Sequence, residues 1–402
     1  MKYHGILIGD IHFDVIEIER LKYELEESFL SYLNTLEQID YICILGDYFD
    51  HKMYLNNSSI AYCVEFMNKL VSICKKFNAP LRIVYGTESH ECNQYKIFSS
   101  MFNKDKELNW KIIYQPYEEE LLPGLNVLYL PEERIYSKKQ YYKDYFCNKN
   151  KYDYVFGHGI IQGVVPSNMT MDFKDEDDRD NHTKKSAPVF TAKELSYICR
   201  GQVYFGHYHV NTNISDKLFY TGSFTRWQHG ENSPKGFYHV ICDINKDEYK
   251  NRFIENYHAR KYVTMVYGYN DPAMNSEEAL LKELDKCDKL VKSHDVDFIK
   301  FEFNIPENHP NPQFIVEILN ERYRYNDNVK TEVVNGYVEK RRNINKEKLK
   351  NTLDEYGMIF DKSLAIEDKL FYYIKKKYDR EIPPVKIDKY INGLYTDLLS
   401  SN

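Results

Sequence analysis

The chain lacks the cysteine patterns that mark thiolate metal sites and disulfide frameworks. Its eight cysteines stand far apart in the sequence and include no CxxC pair. Closely spaced cysteine pairs are typical of zinc fingers, redox motifs and small secreted domains. We therefore expect reduced, mostly buried thiols, as in a cytosolic protein.

Long hydrophobic runs are missing as well. No apolar stretch approaches the roughly 18 residues that span a bilayer. The N-terminus, MKYHGILIGD, places an acidic residue directly after a short apolar run. That order matches neither a secretory signal nor an Arg-rich transit peptide. We expect a cytoplasmic protein, located in the host cytoplasm if it is viral, with no membrane partner.

The sequence also has no excess of basic residues. Its formal net charge is −7 over 402 residues. A protein that held nucleic acid by its overall charge would be basic. Any nucleic acid must therefore be bound locally, through metal ions or a partner.

Short β-rich runs alternate with helical stretches along the first part of the chain. Helices are predicted near 17–37, 57–77 and 190–199. The β-rich runs are 3–9, 41–46, 81–86, 125–131, 152–157, 202–206, 218–222 and 236–244. Thr191 and Glu194 have the spacing of a capping box at the start of the third helix. Strands that alternate with helices predict an α/β layered core.

The pattern changes at three places. The polar insertion MDFKDEDDRDNHTKK, within 162–190, is too charged to pack and predicts a loop. After about residue 258, mixed helical and strand periodicity predicts a small α+β domain. From about 338 the chain is basic and then helical, and it is too short to form a core alone. We predict domains at 1–257 and 258–337, followed by a tail at 338–402.

Five short motifs coincide with the ends of predicted strands. They are GDIHFD (9–14), GDYFD (46–50), GTESH (86–90), GHG (157–159) and GHYH (206–209). Each alone is typical of an ordinary turn, but sites in open α/β sheets are built at the carboxyl ends of strands. Mixed Asp and His ligands favour Mn²⁺, Fe²⁺ or Zn²⁺ over a thiolate zinc site. The ligand number suffices for two ions about 3.5–4 Å apart, the spacing of phosphoester-hydrolysing sites.

The order DxH, GDxxD, a GNH-like loop, GH and GHxH resembles the calcineurin-like metallophosphoesterases. It is most similar to the SbcD-type nuclease subunit of recombination and repair complexes in bacteria and phages. The stretch LFYTGSFTRWQHGENSPKGFYHVICDI resembles the segment after the last histidines of that family. The resemblance implies an α/β fold with a four-layer metallophosphoesterase β-sandwich flanked by helices. A small α+β capping domain and a C-terminal helical tail would follow.

The resemblance implies a dinuclear site with two divalent ions, most simply Mn²⁺. The implied ligands are Asp10, His12 and His209 on one ion, His158 and His207 on the other, and Asp47 bridging both.

Two further residues have implied roles beside the ligands. Asp50 would orient a ligand, and His90 would stabilise the transition state and protonate the leaving sugar oxygen. The alternative for His90 is an ordinary surface histidine beside Glu91.

The segment YGTESHE (85–91) departs from the family, which has an Asn ligand directly before the catalytic His. Three interpretations are open. In the first, Ser89 presents its hydroxyl oxygen to the second ion and leaves the charge of the site unchanged. In the second, Glu88 becomes a ligand and adds a negative charge. In the third, the ligand position is empty or filled by water, and the site is weakened or inactive. We take Ser89 as the working hypothesis because His90 and the other ligand types are present.

The resemblance implies that DNA is the substrate. Duplex ends would be cut exonucleolytically, and single strands or hairpins endonucleolytically. The loop residues Arg226, Trp227 and His229 and the KRR cluster at 340–342 are weaker candidates for contact with DNA. Two alternatives remain: a small-molecule or protein phosphoesterase on the same scaffold, and a DNA-binding scaffold whose catalysis is weakened.

The resemblance also implies protein partners. An SbcC-like coiled-coil ATPase would be gripped by residues about 344–402. A homodimer is expected through the helices near 57–77 and 91–102.

Overall fold

The computed structural model describes residues 1–54, 56–162, 185–267, 276–292, 296–305, 313–324 and 326–335. The acidic stretch at 172–180, the KRR cluster at 340–342 and the predicted tail at 338–402 lie outside these residues. The chain divides into two compact units. The first comprises Met1–Val263 and Leu290–Phe298, and the second comprises Thr264–Lys289 with the described residues from Ile299 onward.

The strands of the described residues, in chain order, are β1 (Lys2–Ile8), β2 (Tyr41–Leu45), β3 (Leu81–Val84), β4 (Trp110–Ile113), β5 (Tyr117–Leu122), β6 (Leu125–Leu130), β7 (Tyr152–His158), β8 (Ile160–Ile161), β9 (Val189–Phe190), β10 (Cys199–Gly206), β11 (Thr212–Asn213), β12 (Leu218–Tyr220), β13 (Gly236–Asp243), β14 (Glu248–Glu255), β15 (Tyr262–Tyr267), β16 (Phe298–Ile305) and β17 (Val329–Asn335).

The α-helices are α1 (Ile18–Glu24), α2 (Ser31–Asn34), α3 (Ser59–Phe77), α4 (Glu88–Glu91), α5 (Lys96–Phe102), α6 (Lys138–Tyr141), α7 (Ala192–Ile198), α8 (Glu277–Lys292) and α9 (Gln313–Tyr323). A π-helical turn, Leu25–Leu30, joins α1 to α2. In the part of the chain that the structure describes, no helix combines the length and the apolar character needed to cross a membrane.

Two six-stranded sheets form the framework of the first unit. Their strand orders are β14-β13-β1-β2-β3-β4 and β11-β12-β10-β7-β6-β5. Strands β1 to β4 are mutually parallel in the first sheet, and β6, β7, β10 and β12 are mutually parallel in the second. Because parallel neighbours end on the same side, the loops that follow them gather at one edge of each sheet.

Three buried clusters define the layers of this unit. Between the sheets, Tyr41 and Leu45 of β2 pack in one cluster with Tyr129 and Phe156 of the second sheet. The alternate β2 residues belong to a second cluster, which contains side chains of α1, α3 and α5. The third cluster joins the second sheet to α7. Strand β2, YICIL, is thus apolar throughout because both of its faces are buried.

These layers confirm the predicted α/β class, with helices on the outer faces of two packed sheets. Each of the eight predicted β-rich runs contains a strand, and α3 and α7 lie within predicted helices. The capping box is also confirmed. The Glu194 N–H donates to Thr191 Oγ1 at 3.2 Å, and the Thr191 N–H donates to Glu194 Oε1 at 2.9 Å.

The second unit is built on the three-stranded sheet β15-β16-β17. Strands β16 and β17 are parallel, and the rings of Tyr267 and Phe303 stack with centroids 4.8 Å apart. Helices α8 and α9 are joined by Arg322, which forms ion pairs with Asp288 at 2.6 Å and Asp285 at 2.5 Å.

Candidate metal centre

The loops after β1 and β2 run side by side at the edge of the first sheet. The Asp10 N–H donates to the Gly46 carbonyl at 3.1 Å, and the His12 N–H donates to the Asp47 carbonyl at 3.0 Å. Asp10, His12 and Asp47 have φ values of 49°, 51° and 47°. Residues other than glycine rarely adopt this left-handed conformation. The paired loops therefore hold these side chains in backbone conformations that an isolated chain would avoid.

The glycines of two motifs allow the loops to approach closely. A Cβ atom on Gly86 would lie 2.3 Å from Asp47 Oδ1, and one on Gly206 would lie 2.3 Å from the Leu45 carbonyl oxygen. Both distances are shorter than van der Waals contact. Larger residues at these positions would push the loops apart and separate the polar side chains that they carry.

One group of candidate ligands consists of Asp10, His12 and His209, whose ligand atoms lie within 4.8 Å of one another. Asp10 is fully buried, and its Oδ1 lies 4.0 Å from His12 Nε2 and 3.9 Å from His209 Nε2. The Asp10 carboxylate also accepts the His207 N–H at 2.9 Å. The end of β1 is thereby joined to the loop after β10 in the other sheet.

A second group consists of Asp47, His158 and His207, again within 4.8 Å. His158 Nδ1 lies 2.7 Å from the Leu45 carbonyl, and because a carbonyl only accepts, Nδ1 carries a proton. The neutral ring then has its lone pair on Nε2, which lies 3.2 Å from Asp47 Oδ2. The same Asp47 oxygen lies 3.8 Å from His12 Nε2, so Asp47 stands between the two groups.

The residues of both groups fit metal ions. The Nε2 atom of the buried His12 has no hydrogen-bond partner among the described residues. Leaving such a nitrogen unsatisfied is costly in a protein interior, whereas a metal would use it as a ligand. Carboxylate and imidazole donors suit divalent transition metals. The two Asp/His groups can therefore bind metal ions.

Burial and neighbouring charges shift the pKa values of the groups in the centre. Burial raises the pKa of Asp10 to about 8. Burial alone would also raise the pKa of Asp47, but His158 and His12 hold it below its usual range. The pKa of His158 is raised because the effect of Asp47, Asp10 and Glu132 exceeds that of burial. Metal binding to these groups must therefore release protons.

Asp50 and His90 meet beside His12. Asp50 Oδ1 lies 3.2 Å from His12 Nδ1, where it can fix the orientation of the ring. His90 Nδ1 contacts the Asp50 carbonyl oxygen, and the His90 and His12 ring centroids are 4.8 Å apart. His90 is thus a partly buried residue next to the centre, with Nδ1 engaged and Nε2 available for proton transfer.

The position after Gly86 is held by Thr87, which sequence reasoning missed. Thr87 Oγ1 lies 3.4 Å from both His158 Nε2 and His207 Nδ1, and the Thr87 N–H donates to Asp47 Oδ1 at 2.7 Å. Ser89 is exposed on α4, and its hydroxyl has no hydrogen bond within the described part of the chain. The structure therefore brings Thr87, and not Ser89, to the second group.

Glu88 also points away from the centre. Its carboxylate accepts from the Tyr85 hydroxyl at 2.8 Å and from Asn93 Nδ2 at 3.4 Å. Glu132, after β6, is the second residue that sequence reasoning missed, and its Oε2 lies 3.2 Å from His207 Nδ1. It follows a strand of the parallel set in the second sheet that carries no Asp or His motif, so position at a strand end was its only signal.

The loop after β12 covers one side of the centre. The ring of Trp227 lies 4.5 Å from that of His209 and 5.1 Å from that of His12, measured between centroids. Arg226 instead donates to carbonyl oxygens of its own loop, Glu231 at 3.1 Å and Ser233 at 3.0 Å. Trp227 therefore packs against the histidines of the first group, while the hydrogen bonds of Arg226 stabilise the conformation of the loop.

Thr87→Ala and Ser89→Ala form a matched pair that tests which hydroxyl serves the centre. We expect Thr87→Ala to weaken Mn²⁺ binding at one of two sites by about tenfold, since residues that support ligands typically contribute this much. Ser89→Ala should leave affinity unchanged because the side chain is exposed. Isothermal titration calorimetry measures both. The reverse result would support the Ser89 hypothesis.

The Glu91 carboxylate joins two loops of the centre, and its ionisation makes the stability of the folded protein depend on pH. Its Oε1 accepts the Tyr48 and Gly86 N–H groups at 3.3 and 3.4 Å. Burial raises its pKa from 4.5 to about 8. Between those values the folded protein holds a proton that the unfolded chain has lost, so the stability contribution of Glu91 falls as pH rises through this window.

We therefore expect Glu91→Gln to stabilise the metal-free protein more at pH 8 than at pH 5. The difference in free energy of unfolding should reach about 1–3 kcal/mol at pH 8, because the variant has no buried charge to form. Denaturant titration in EDTA measures it. Glu88→Gln, a change at a neighbouring exposed carboxylate, is the control. Equal effects of Glu91→Gln at both pH values would contradict the assignment.

Comparisons with known proteins do not place the chain in a family. No protein-family model matches the sequence, and no curated protein does so either. What the chain does must therefore be inferred from the chemistry of the centre and from its motifs.

Proposed function

We propose that this chain is a metal-dependent phosphodiester hydrolase that cleaves DNA, with exonuclease action on duplex ends and endonuclease action on single strands or hairpins. The observation that supports it most directly is the position of Asp47 between two Asp/His groups. A carboxylate between two such groups suits a pair of divalent ions, most simply two Mn²⁺, and paired ions are typical of phosphoester hydrolysis.

The residues divide the work of such a reaction. Bound ions supply Lewis-acid polarisation of a phosphoryl oxygen and a water of low pKa. Asp50 would orient His12, and the two carboxylates and four histidines of the two groups would hold the ions: Asp10, His12, Asp47, His158, His207 and His209. His90 donates a proton to the leaving oxygen through Nε2, while its Nδ1 is fixed by the Asp50 carbonyl.

DNA and an ATPase partner are part of the proposal. They are supported by the resemblance of the motifs to SbcD-type nuclease subunits. A net charge of −7 gives no general attraction to nucleic acid, so binding must be local. We propose that residues about 344–402, outside the described residues, grip an SbcC-like coiled-coil ATPase, and that the chain forms a homodimer.

The test compares four substrates in Mn²⁺, with and without EDTA: linear duplex DNA, a DNA hairpin, bis-p-nitrophenyl phosphate and a mononucleotide. We expect EDTA-sensitive cleavage of both DNAs and of the diester, and little release of phosphate from the mononucleotide. Phosphate release from the mononucleotide alone would instead support a phosphomonoesterase. DNA binding without cleavage, even with the ATPase present, would indicate a scaffold.

A further inference from the structure

Glu132 is placed to face the second ligand group. It follows β6, which pairs with β7, the strand that ends at His158. The Glu132 N–H donates to the Tyr85 carbonyl at 3.2 Å, so the loop after β6 is tied to the loop that carries Thr87. The Glu132 side chain is only 14% exposed. The Glu132 side chain is therefore largely buried, next to the loop that carries Thr87.

The donor atoms around this carboxylate have the spacing of a metal coordination shell. Glu132 Oε2 lies 3.1 Å from Thr87 Oγ1, 3.2 Å from His207 Nδ1 and 3.9 Å from His158 Nε2. Asp47 Oδ2 also lies near this shell, 3.2 Å from His158 Nε2. Neighbouring ligands of an octahedral ion with bonds of about 2.1 Å are about 3 Å apart. These atoms match that distance with modest adjustment.

The negative charges around His158 also favour a bound cation. Two carboxylates, Asp47 and Glu132, lie near the same Nε2, and the other ring nitrogen is already bound to the Leu45 carbonyl. Buried carboxylates need compensating charge. A divalent ion on Nε2 would supply it to both carboxylates at once, which a single imidazolium does less well.

Thr87 links the two carboxylates. Its N–H donates to Asp47 Oδ1 at 2.7 Å and its hydroxyl is 3.1 Å from Glu132 Oε2. In the family that the motifs resemble, the ligand from this loop is an Asn, which reaches the ion through a neutral amide oxygen. The shorter threonine leaves that space to the carboxylate of Glu132 and can donate a hydrogen bond to it.

We infer that Glu132 is a direct ligand of the ion held by Asp47, His158 and His207, and that it replaces a neutral amide ligand with an anionic one. This inference rests on the proposed function only in assuming that two ions are bound. The second ion then has two carboxylate ligands. It should be bound more tightly than it would be with a neutral ligand, and the ligand set favours hard ions such as Mn²⁺.

The test is Mn²⁺ binding to the full chain by calorimetry and electron paramagnetic resonance. Glu132→Gln keeps the size of the side chain and an oxygen that can accept from His207, so a purely orienting role would survive. We expect loss of at least about tenfold in affinity for one ion and a weaker exchange-coupled dinuclear signal. Glu132→Asp, which keeps the charge but shortens the reach, should lie between Gln and wild type.

Glu133→Gln is the matched control. Glu133 is the adjacent carboxylate, but it accepts from the Tyr141 hydroxyl and should leave both ions unaffected. Circular dichroism checks that each variant folds.

The outcomes separate this inference from the proposed function. Unchanged binding of two ions by folded Glu132→Gln overturns the inference, and cleavage of phosphodiesters by the wild type would still support the function. A one-ion defect in Glu132→Gln, with no cleavage of any diester by the wild type, supports the ligand and contradicts the function. A wild type that binds fewer than two ions overturns both.

Discussion

Asp47→Asn should abolish Mn²⁺-dependent cleavage and weaken binding of both ions by more than about 100-fold. Substitution of residues that only orient ligands already lowers metal affinity or activity by about 10–100-fold. Asp47 Oδ2 lies near a histidine of each group, 3.2 Å from His158 Nε2 and 3.8 Å from His12 Nε2. An amide oxygen there has no full negative charge to share between two cations. Calorimetry should therefore show both binding steps weakened together.

Asp153→Asn is the control for loss of a buried aspartate. Asp153 is also fully buried and forms an ion pair with Arg200, but it lies near the start of β7, at the opposite end from His158. The variant should lose stability, because removing one partner leaves a charge uncompensated, yet still bind two ions. If Asp47→Asn bound both ions with wild-type affinity, Asp47 could not be their shared ligand.

His90→Asn should lower kcat for DNA by about 10²–10⁴-fold, the usual contribution of a general acid, while leaving metal affinity within a few-fold of wild type. Asparagine can keep a donor near the Asp50 carbonyl, as His90 Nδ1 does, but it has no equivalent of Nε2. The loss should be smaller with bis-p-nitrophenyl phosphate, because p-nitrophenolate leaves without being protonated.

The ratio of the two losses is the decisive readout. A structural disturbance would slow both substrates equally, whereas a missing proton donor slows mainly DNA. His258→Asn is the control, since His258 contacts Tyr23 and not the centre. Equal losses with both substrates would contradict a proton-donating role for His90.

The strand-end motifs predicted the centre because sheet topology makes their positions converge. Asp10 and Asp47 follow adjacent parallel strands, and His158 and His207 end or follow a second adjacent pair. Short apolar runs identify such strands from sequence. Parallel pairing then brings the next residues together, whatever the length of the intervening chain.

Thr87 and Glu132 could not be predicted in the same way. The Ser89 hypothesis counted back from His90, but the structure fixes the loop from the other end, where Gly86 packs against Asp47. The helical turn α4 then carries Ser89 to the surface. Glu132 follows a correctly predicted strand, but a single glutamate after Leu-Pro has no distinguishing spacing.

Strand β14, EYKNRFIE, could not be predicted from its own residues. Its residues are mostly polar, and none of them is buried. It is a strand because it pairs with β13 along its full length at the edge of the first sheet. Strand formation of this kind depends on a neighbour rather than on local preference.

The convergence of loops from both sheets would also determine when the proposed hydrolase can become active. An ion bound by Asp47 and His158 would act as a cross-link between the sheets, closing a long loop of chain much as a disulfide does. His207 and His209 follow β10, so a growing polypeptide that stops before β10 lacks two of the candidate histidine ligands and has incomplete shells. Synthesis itself would then delay the proposed hydrolysis until both sheets are in place.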